Sequence, residues 1–99
     1  MLTVTGVVEI APDGVETAKA AVQKMVAETL KEDGCRIYEF SQVIGSETRF
    51  RVYEEWDSLS ALQAHFETPH MAEFRATLGS VGVISRDISR FEAGEKTPV

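Results

Sequence analysis

Residues 48–70, from Thr48 to His70, read TRFRVYEEWDSLSALQAHFETPH. The β-branched and aromatic residues between Phe50 and Trp56 suit a pleated surface and predict a strand. Alternation sends Phe50, Val52, Glu54 and Trp56 to one face and Arg49, Arg51, Tyr53 and Glu55 to the other. Asp57 or Ser58 then offers a short side-chain oxygen to an orphan backbone N–H, so a helix starts there. Leu59, Leu62 and Phe66 recur at helical spacing as its buried stripe, with His65 at the stripe's edge. Thr68 caps and Pro69 opens a second short helix, whose inner face is Met71, Phe74 and Leu78. A carboxylate thus stands among apolar strand positions, followed by a helix with one histidine near its end and another histidine at the next turn.

Upstream, Leu2 to Ile10 alternates Leu2, Val4, Val8 and Ile10 against Thr3, Thr5, Val7 and Glu9, and Gly6 marks a bend or close approach. Pro12, Asp13 and Gly14 break this strand, and Asp13 with Glu16 resembles a capping box. From Val15 the residues Val15, Ala18, Val22, Met25, Val26 and Leu30 keep to one face of a helix, with Lys19, Lys24, Glu28 and Lys31 opposite. Gly34 closes that helix in the left-handed region. A second strand runs from Cys35 to Ile44, with Cys35, Ile37 and Val43 on one side and Tyr38, Phe40 and Ile44 on the other. The short connection Gly45 to Glu47 makes strands two and three a hairpin. Downstream, Gly79 to Gly82 punctuates and Val83 to Phe91 forms a fourth strand.

The order is βαββαβ, which with right-handed crossovers gives an α+β, ferredoxin-like fold: a four-stranded antiparallel sheet with its helices on one face. The domain spans residues 1–91, and the polar tail 92–99 is loose or reaches across to a partner. Tyr38, Phe40, Ile44, Ile84 and Ile88 suggest a bare sheet face that is partly apolar. A two-fold homodimer with sheets face to face removes that liability.

The 99 residues make one domain with one core. Ten basic against sixteen acidic residues give −6 with no basic cluster, which argues against nucleic acid. The first ten residues, MLTVTGVVEI, show no positive start, cleavage site or long apolar run, so neither secretion nor a membrane is expected and the location is cytoplasmic. Cys35 is the sole cysteine, which rules out an internal disulfide and a CxxC site and reads as a small buried hydrophobe. Two histidines five apart with no further ligand cluster make a poor metal site, and no metal is expected.

In this order, Gly34-Cys35, Tyr38-Glu39, Phe50, Tyr53-Glu54-Glu55-Trp56, Ala61-Leu62, His65 and Pro69-His70 resemble the antibiotic biosynthesis monooxygenase family of dimeric α+β barrel proteins. The resemblance covers nearly the whole chain to Phe91. It implies cofactor-free oxygenation of anthrones or quinols, or haem degradation, since the family holds both. Trp56 matches the tryptophan of both branches. The haem-degrading branch also has an asparagine on the first strand, lacking here, and an iron-ligand histidine whose place falls near Arg75. The anthrone-oxidising branch has an asparagine and a tyrosine where this chain has Val52 and Leu62, and an arginine near Arg75.

An oxygenase without metal or flavin needs a substrate that becomes electron-rich on losing a proton, so the protein supplies a base, a dry pocket and a donor for the developing oxyanion. His65 is the candidate base, because an imidazole titrates near neutrality. Glu54, sharing a face with apolar residues, calls for a raised pKa or an arginine partner such as Arg51, Arg75 or Arg86. With Trp56 these form the candidate catalytic group. Tyr38, Tyr53, Phe66, His70, Met71, Phe74 and Arg75 are candidates for holding a small aromatic substrate. The leading expectation is a cofactor-independent monooxygenase of a quinol or anthrone. The alternatives are a non-catalytic dimeric small-ligand-binding or stress protein and a haem-degrading protein.

Overall fold

The computed structural model describes residues 1–99. Strand β1 (Leu2–Ile10), helix α1 (Val15–Thr29), strands β2 (Cys35–Gln42) and β3 (Arg49–Trp56), helices α2 (Leu59–Phe66) and α3 (Pro69–Val81), and strand β4 (Val83–Glu92) follow one another. The sheet order is β2-β3-β1-β4 with every neighbouring pair antiparallel, the ferredoxin-like α+β arrangement. No helix is long and apolar enough to cross a membrane.

The register fixes which side chains meet. Val4 lies opposite Glu54 on one neighbour and Arg90 on the other, and Val8 lies opposite Phe50 and Arg86. Directly opposed residues share a face, so this face carries Leu2, Val4, Val8 and Ile10 against the helices. Leu2, Val4, Met25, Tyr38, Trp56, Leu62 and Phe74 form one buried cluster, and Val8, Ile10, Val15, Ala18 and Phe50 a second. Gly6 sits at the centre of β1, where an added Cβ would stand 2.0 Å from the carbonyl oxygen of Asp87. Only a residue without a side chain lets β4 pair this closely, the close approach that the strand pattern indicated.

Several local expectations are corrected. The Asp13–Glu16 capping box does not form, because Pro12–Gly14 makes a 3₁₀ turn and Gly14, without a capping side chain, begins α1. Helix α1 stops at Thr29, which leaves Leu30 exposed. An irregularity between Cys35 and Ile37 shifts the start of β2, so Cys35 joins Tyr38 and Phe40 against the core instead of siding with Ile37. Ile44 lies beyond the strand end and is fully exposed. Tyr38, Phe40 and Ile88 therefore face the helices, not the uncovered side. The uncovered face is mostly polar: Thr5 opposes Tyr53, Val7 opposes Arg51, and Ile37 and Phe91 are its larger apolar members. Lys96 of the C-terminal segment reaches back to Glu55 on this face at 2.7 Å. Helix α3 runs through Gly79, and Gly82 at φ +91 ends it.

Candidate active site

Strand β3 builds the floor. Glu54 and Trp56, two residues apart, point to the same side, and the Trp56 indole N–H donates to Glu54 Oε1 at 2.8 Å. Glu54 is 7% exposed and Trp56 is fully enclosed. Burial pushes the Glu54 carboxyl from 4.5 up to about 7, opposed by the indole hydrogen bond and the charge of Arg86. The arginine ion pair considered for Glu54 is not its contact; the indole is. Trp56 does not line the cleft described below, so it positions Glu54.

Helix α2 builds one wall. Ser58 Oγ accepts from the Ala61 N–H at 3.2 Å and sets the first turn. The buried face is then Leu62 and His65, while Leu59 and Phe66 are 38% and 37% exposed. Leu62 is buried as expected, but His65 moves from the stripe's edge to its centre while Leu59 and Phe66 turn partly outward. An imidazole can take the inner position because it has a partner there: His65 Nδ1 lies 2.7 Å from Glu32 Oε2. His70 Nε2 lies 2.7 Å from the same oxygen. Thr68 makes this return possible, since its Oγ1 donates to the His65 carbonyl at 2.8 Å and accepts from the Met71 N–H at 3.3 Å, pinning the α2–α3 corner.

Glu32 was not among the residues singled out from the sequence. It sits in the turn after α1, where its N–H donates to the Thr29 carbonyl at 3.0 Å. Gly34, at φ +82, closes that turn against α2, and a Cβ there would stand 2.6 Å from the Ala61 Cβ. The glycine thus lets the turn approach α2 and presents Glu32 to His65. No local signal marks this, since the contact spans 33 positions.

Glu32, His65 and His70 bring three possible ligand atoms within 4.8 Å of one another, so a third donor exists where the sequence indicated none. Donors at about 2.1 Å from a divalent ion stand roughly 3 Å or more apart. The two 2.7 Å separations here are hydrogen-bond distances, so as placed these atoms share protons. Glu32 accepts from both rings, which puts the His65 proton on Nδ1 and leaves Nε2 with a free lone pair.

Helices and sheet enclose a cleft of about 400 Å³, walled by 18 residues of which 12 are hydrophobic. Tyr38, Glu54, His65, Phe66, Met71, Phe74 and Arg75 all line it. Tyr53 does not: it lies on the opposite sheet face, where its hydroxyl donates to Glu55. His70 is also off the cleft and is joined to His65 only through Glu32. His65 lines the cleft and Glu32 does not, so the ring stands between the Glu32 carboxylate, bound at Nδ1, and the cleft. Burial lowers the His65 pKa from 6.5, partly offset by Glu32, so the ring is neutral at pH 7. The Tyr38 ring lies 5.5 Å from that of His65, and burial raises its hydroxyl far above an ordinary phenol, keeping it a donor. At the place where the resemblance puts an iron ligand, Arg75 lies over the Phe66 ring at 5.8 Å. A smaller apolar cavity of about 230 Å³ between α1 and the sheet has Lys19 as its one titratable lining residue, so it offers no base.

The sequence profile of the antibiotic biosynthesis monooxygenase family matches residues 1–77. The chain belongs to the antibiotic biosynthesis monooxygenase family. Among relatives of this family member, an uncharacterised protein of Synechocystis is 32% identical over 73 residues, which are 74% of this chain and 50% of that protein. The match therefore spans half of that relative's length. Rv0793 of Mycobacterium tuberculosis, provisionally named a monooxygenase, is 32% identical over 71 residues, 71% of this chain and 68% of the relative. Among solved structures, a Deinococcus radiodurans protein provisionally named an antibiotic biosynthesis monooxygenase superposes with TM-score 0.93 at 24% identity, covering 100% of this chain and 98% of its own. The Rv0793 structure does so at 0.88 and 23%, covering 98% of each. At these identities the superpositions establish the fold.

Proposed function

We propose that this family member is a cytoplasmic, homodimeric, cofactor-independent monooxygenase that oxygenates a small reduced aromatic of quinol or anthrone type. One observation carries the reading: a neutral, buried imidazole held at Nδ1 by a carboxylate lines an apolar cleft with a carboxyl on the floor. A carboxylate-oriented imidazole is a general base of fixed tautomer. His65 Nε2 takes a proton from the substrate hydroxyl or the anthrone methylene. The resulting anion passes one electron to O₂, and the radical pair recombines as a carbon–oxygen bond. The imidazolium returns its proton to the peroxide anion, and the neutral imidazole then takes the proton on the same carbon, which breaks the O–O bond, leaves a carbonyl and releases hydroxide. Glu54, still part-protonated near neutrality, supplies the proton that makes this water. One oxygen atom stays in the product and one leaves as water, so no external reductant is required. The apolar walls keep bulk water from the anion.

The dimer belongs to the same proposal. It rests on the family resemblance and on the exposed sheet face that carries Val7, Ile37, Tyr53 and Phe91. A stable monomer at micromolar concentration in light scattering would remove it. Oxygen uptake with a panel of quinols and anthrones tests the activity: consumption by the protein, lost in His65→Gln, is expected. A melting-temperature shift with no oxygen consumed would instead identify a binding protein.

A further inference from the structure

Three arginines stand at the open side of the cleft. Arg86 and Arg90 project from the helix-facing side of β4, opposite Val8 and Val4, and Arg75 comes from α3 on the other wall. Of the other seven cations in this chain of net charge −6, five are taken up by carboxylates, and Arg49 and Arg51 lie on the opposite sheet face, away from the cleft. Lys19, Lys24, Lys31, Lys96 and Arg36 each pair with a carboxylate. Arg75, Arg86 and Arg90 pair with none; Arg75 donates to the Phe66 carbonyl at 3.3 Å. Unpaired guanidinium groups gathered at one opening of an acidic protein attract and hold an anion.

We infer that the substrate carries an oxyanion, a carboxylate or a phosphate ester, that sits at the cleft mouth between Arg86 and Arg90 while its flat apolar body enters toward His65. The inference rests on the reading of the cleft as an aromatic site and adds the class of substrate. The two β4 arginines are four positions apart, roughly 13 Å at their Cα atoms, within reach of two long side chains that fold inward from either side. Ile88 lies between them on the same face and offers the apolar body a platform. Glu54 on the floor repels the anionic end once ionised, so the substrate enters in one orientation.

Anaerobic titration calorimetry on the full chain with 1,4-naphthohydroquinone, 1,4-dihydroxy-2-naphthoate and 1-naphthyl phosphate tests this. The carboxylate or the phosphate is expected to bind at least about tenfold more tightly than the neutral quinol. Whichever does so identifies the anion. The preference should shrink as NaCl rises from about 50 to about 500 mM, a measurement that needs no variant. In the R86Q/R90Q double variant the ratio of charged to neutral affinity should fall to near one. Equal affinities in the wild-type chain, or a preference that survives R86Q/R90Q, would overturn the inference while leaving the aromatic-site reading standing. Failure of all three ligands to bind would overturn both.

Discussion

Replacing Glu54 with glutamine separates the energetic consequence of a buried carboxyl from its shape. The glutamine oxygen can still accept the Trp56 indole hydrogen bond seen at 2.8 Å, so the substitution removes mainly the ionisation. Below pH 4.5 the carboxyl is protonated in folded and unfolded chains alike, and it makes no difference to stability. Between 4.5 and about 7 the unfolded chain releases its proton and the folded chain keeps it. Stability therefore falls as pH rises through this window, and the full loss persists above it. At about 1.4 kcal/mol for each pH unit, the rise from 4.5 to about 7 amounts to something on the order of 3 kcal/mol. Solvent screening trims this little, since the residue is 7% exposed. Glu54→Gln should then be more stable than wild type by that amount at pH 8 and indistinguishable at pH 4. At roughly 4–8 °C per kcal/mol for a domain of this size, the gain at pH 8 is roughly 12–24 °C. Urea unfolding followed by the fluorescence of Trp56, the single tryptophan, reads the difference at fixed protein concentration. Parallel pH slopes for the two proteins would refute the placement of Glu54 as a buried, destabilised carboxylate.

Other consequences concern the base, the strand pairing and the thiol. His65→Gln should lower the oxygenation rate by roughly 10²–10⁴-fold. Wild-type kcat/KM should be bell-shaped, rising as His65 loses its proton below pH 6.5 and falling near 7 as Glu54 ionises. Glu32→Gln removes the charge that raises the His65 pKa, so its acid limb should move to lower pH; an unmoved limb would show that Glu32 does not act on His65. Gly6→Ala places a Cβ 2.0 Å from the Asp87 carbonyl oxygen, and splaying β4 from β1 should cost about 3 kcal/mol or more in denaturant titration. Burial raises the Cys35 thiol to about 11, so alkylation by iodoacetamide at pH 7.5 should be far slower than that of free cysteine.

The residues that alternate were legible because a strand's period is short and its partner's demands are uniform. Phe50, Val52, Glu54 and Trp56 share the buried face of β3 as their spacing indicates, and Leu2, Val4, Val8 and Ile10 do so on β1. Positions set by pairing across the chain were not legible. The inner face of α2 is decided by Glu32, which makes burial of His65 tolerable and leaves Phe66 partly exposed, and nothing near residue 32 announces that role. The shift at the start of β2 likewise turns Cys35 onto the helix side with Tyr38 and Phe40. Tyr38, Phe40 and Ile88 pack against the helices, which takes these apolar residues away from the uncovered face. Tyr53 shows the converse, a side chain with suitable chemistry on the wrong face of a strand whose parity was correctly assigned. In the site, the histidine and the floor carboxyl were visible in sequence, and the carboxylate that orients the histidine was not.

The most direct measurement is the fate of the oxygen atoms. Incubation of the protein with a turned-over quinol or anthrone under ¹⁸O₂, with mass spectrometry of product and solvent, should find one labelled atom in the aromatic product and one in water. Unlabelled product, or oxygen recovered as hydrogen peroxide in equal amount to substrate oxidised, would contradict oxygenation in this cleft.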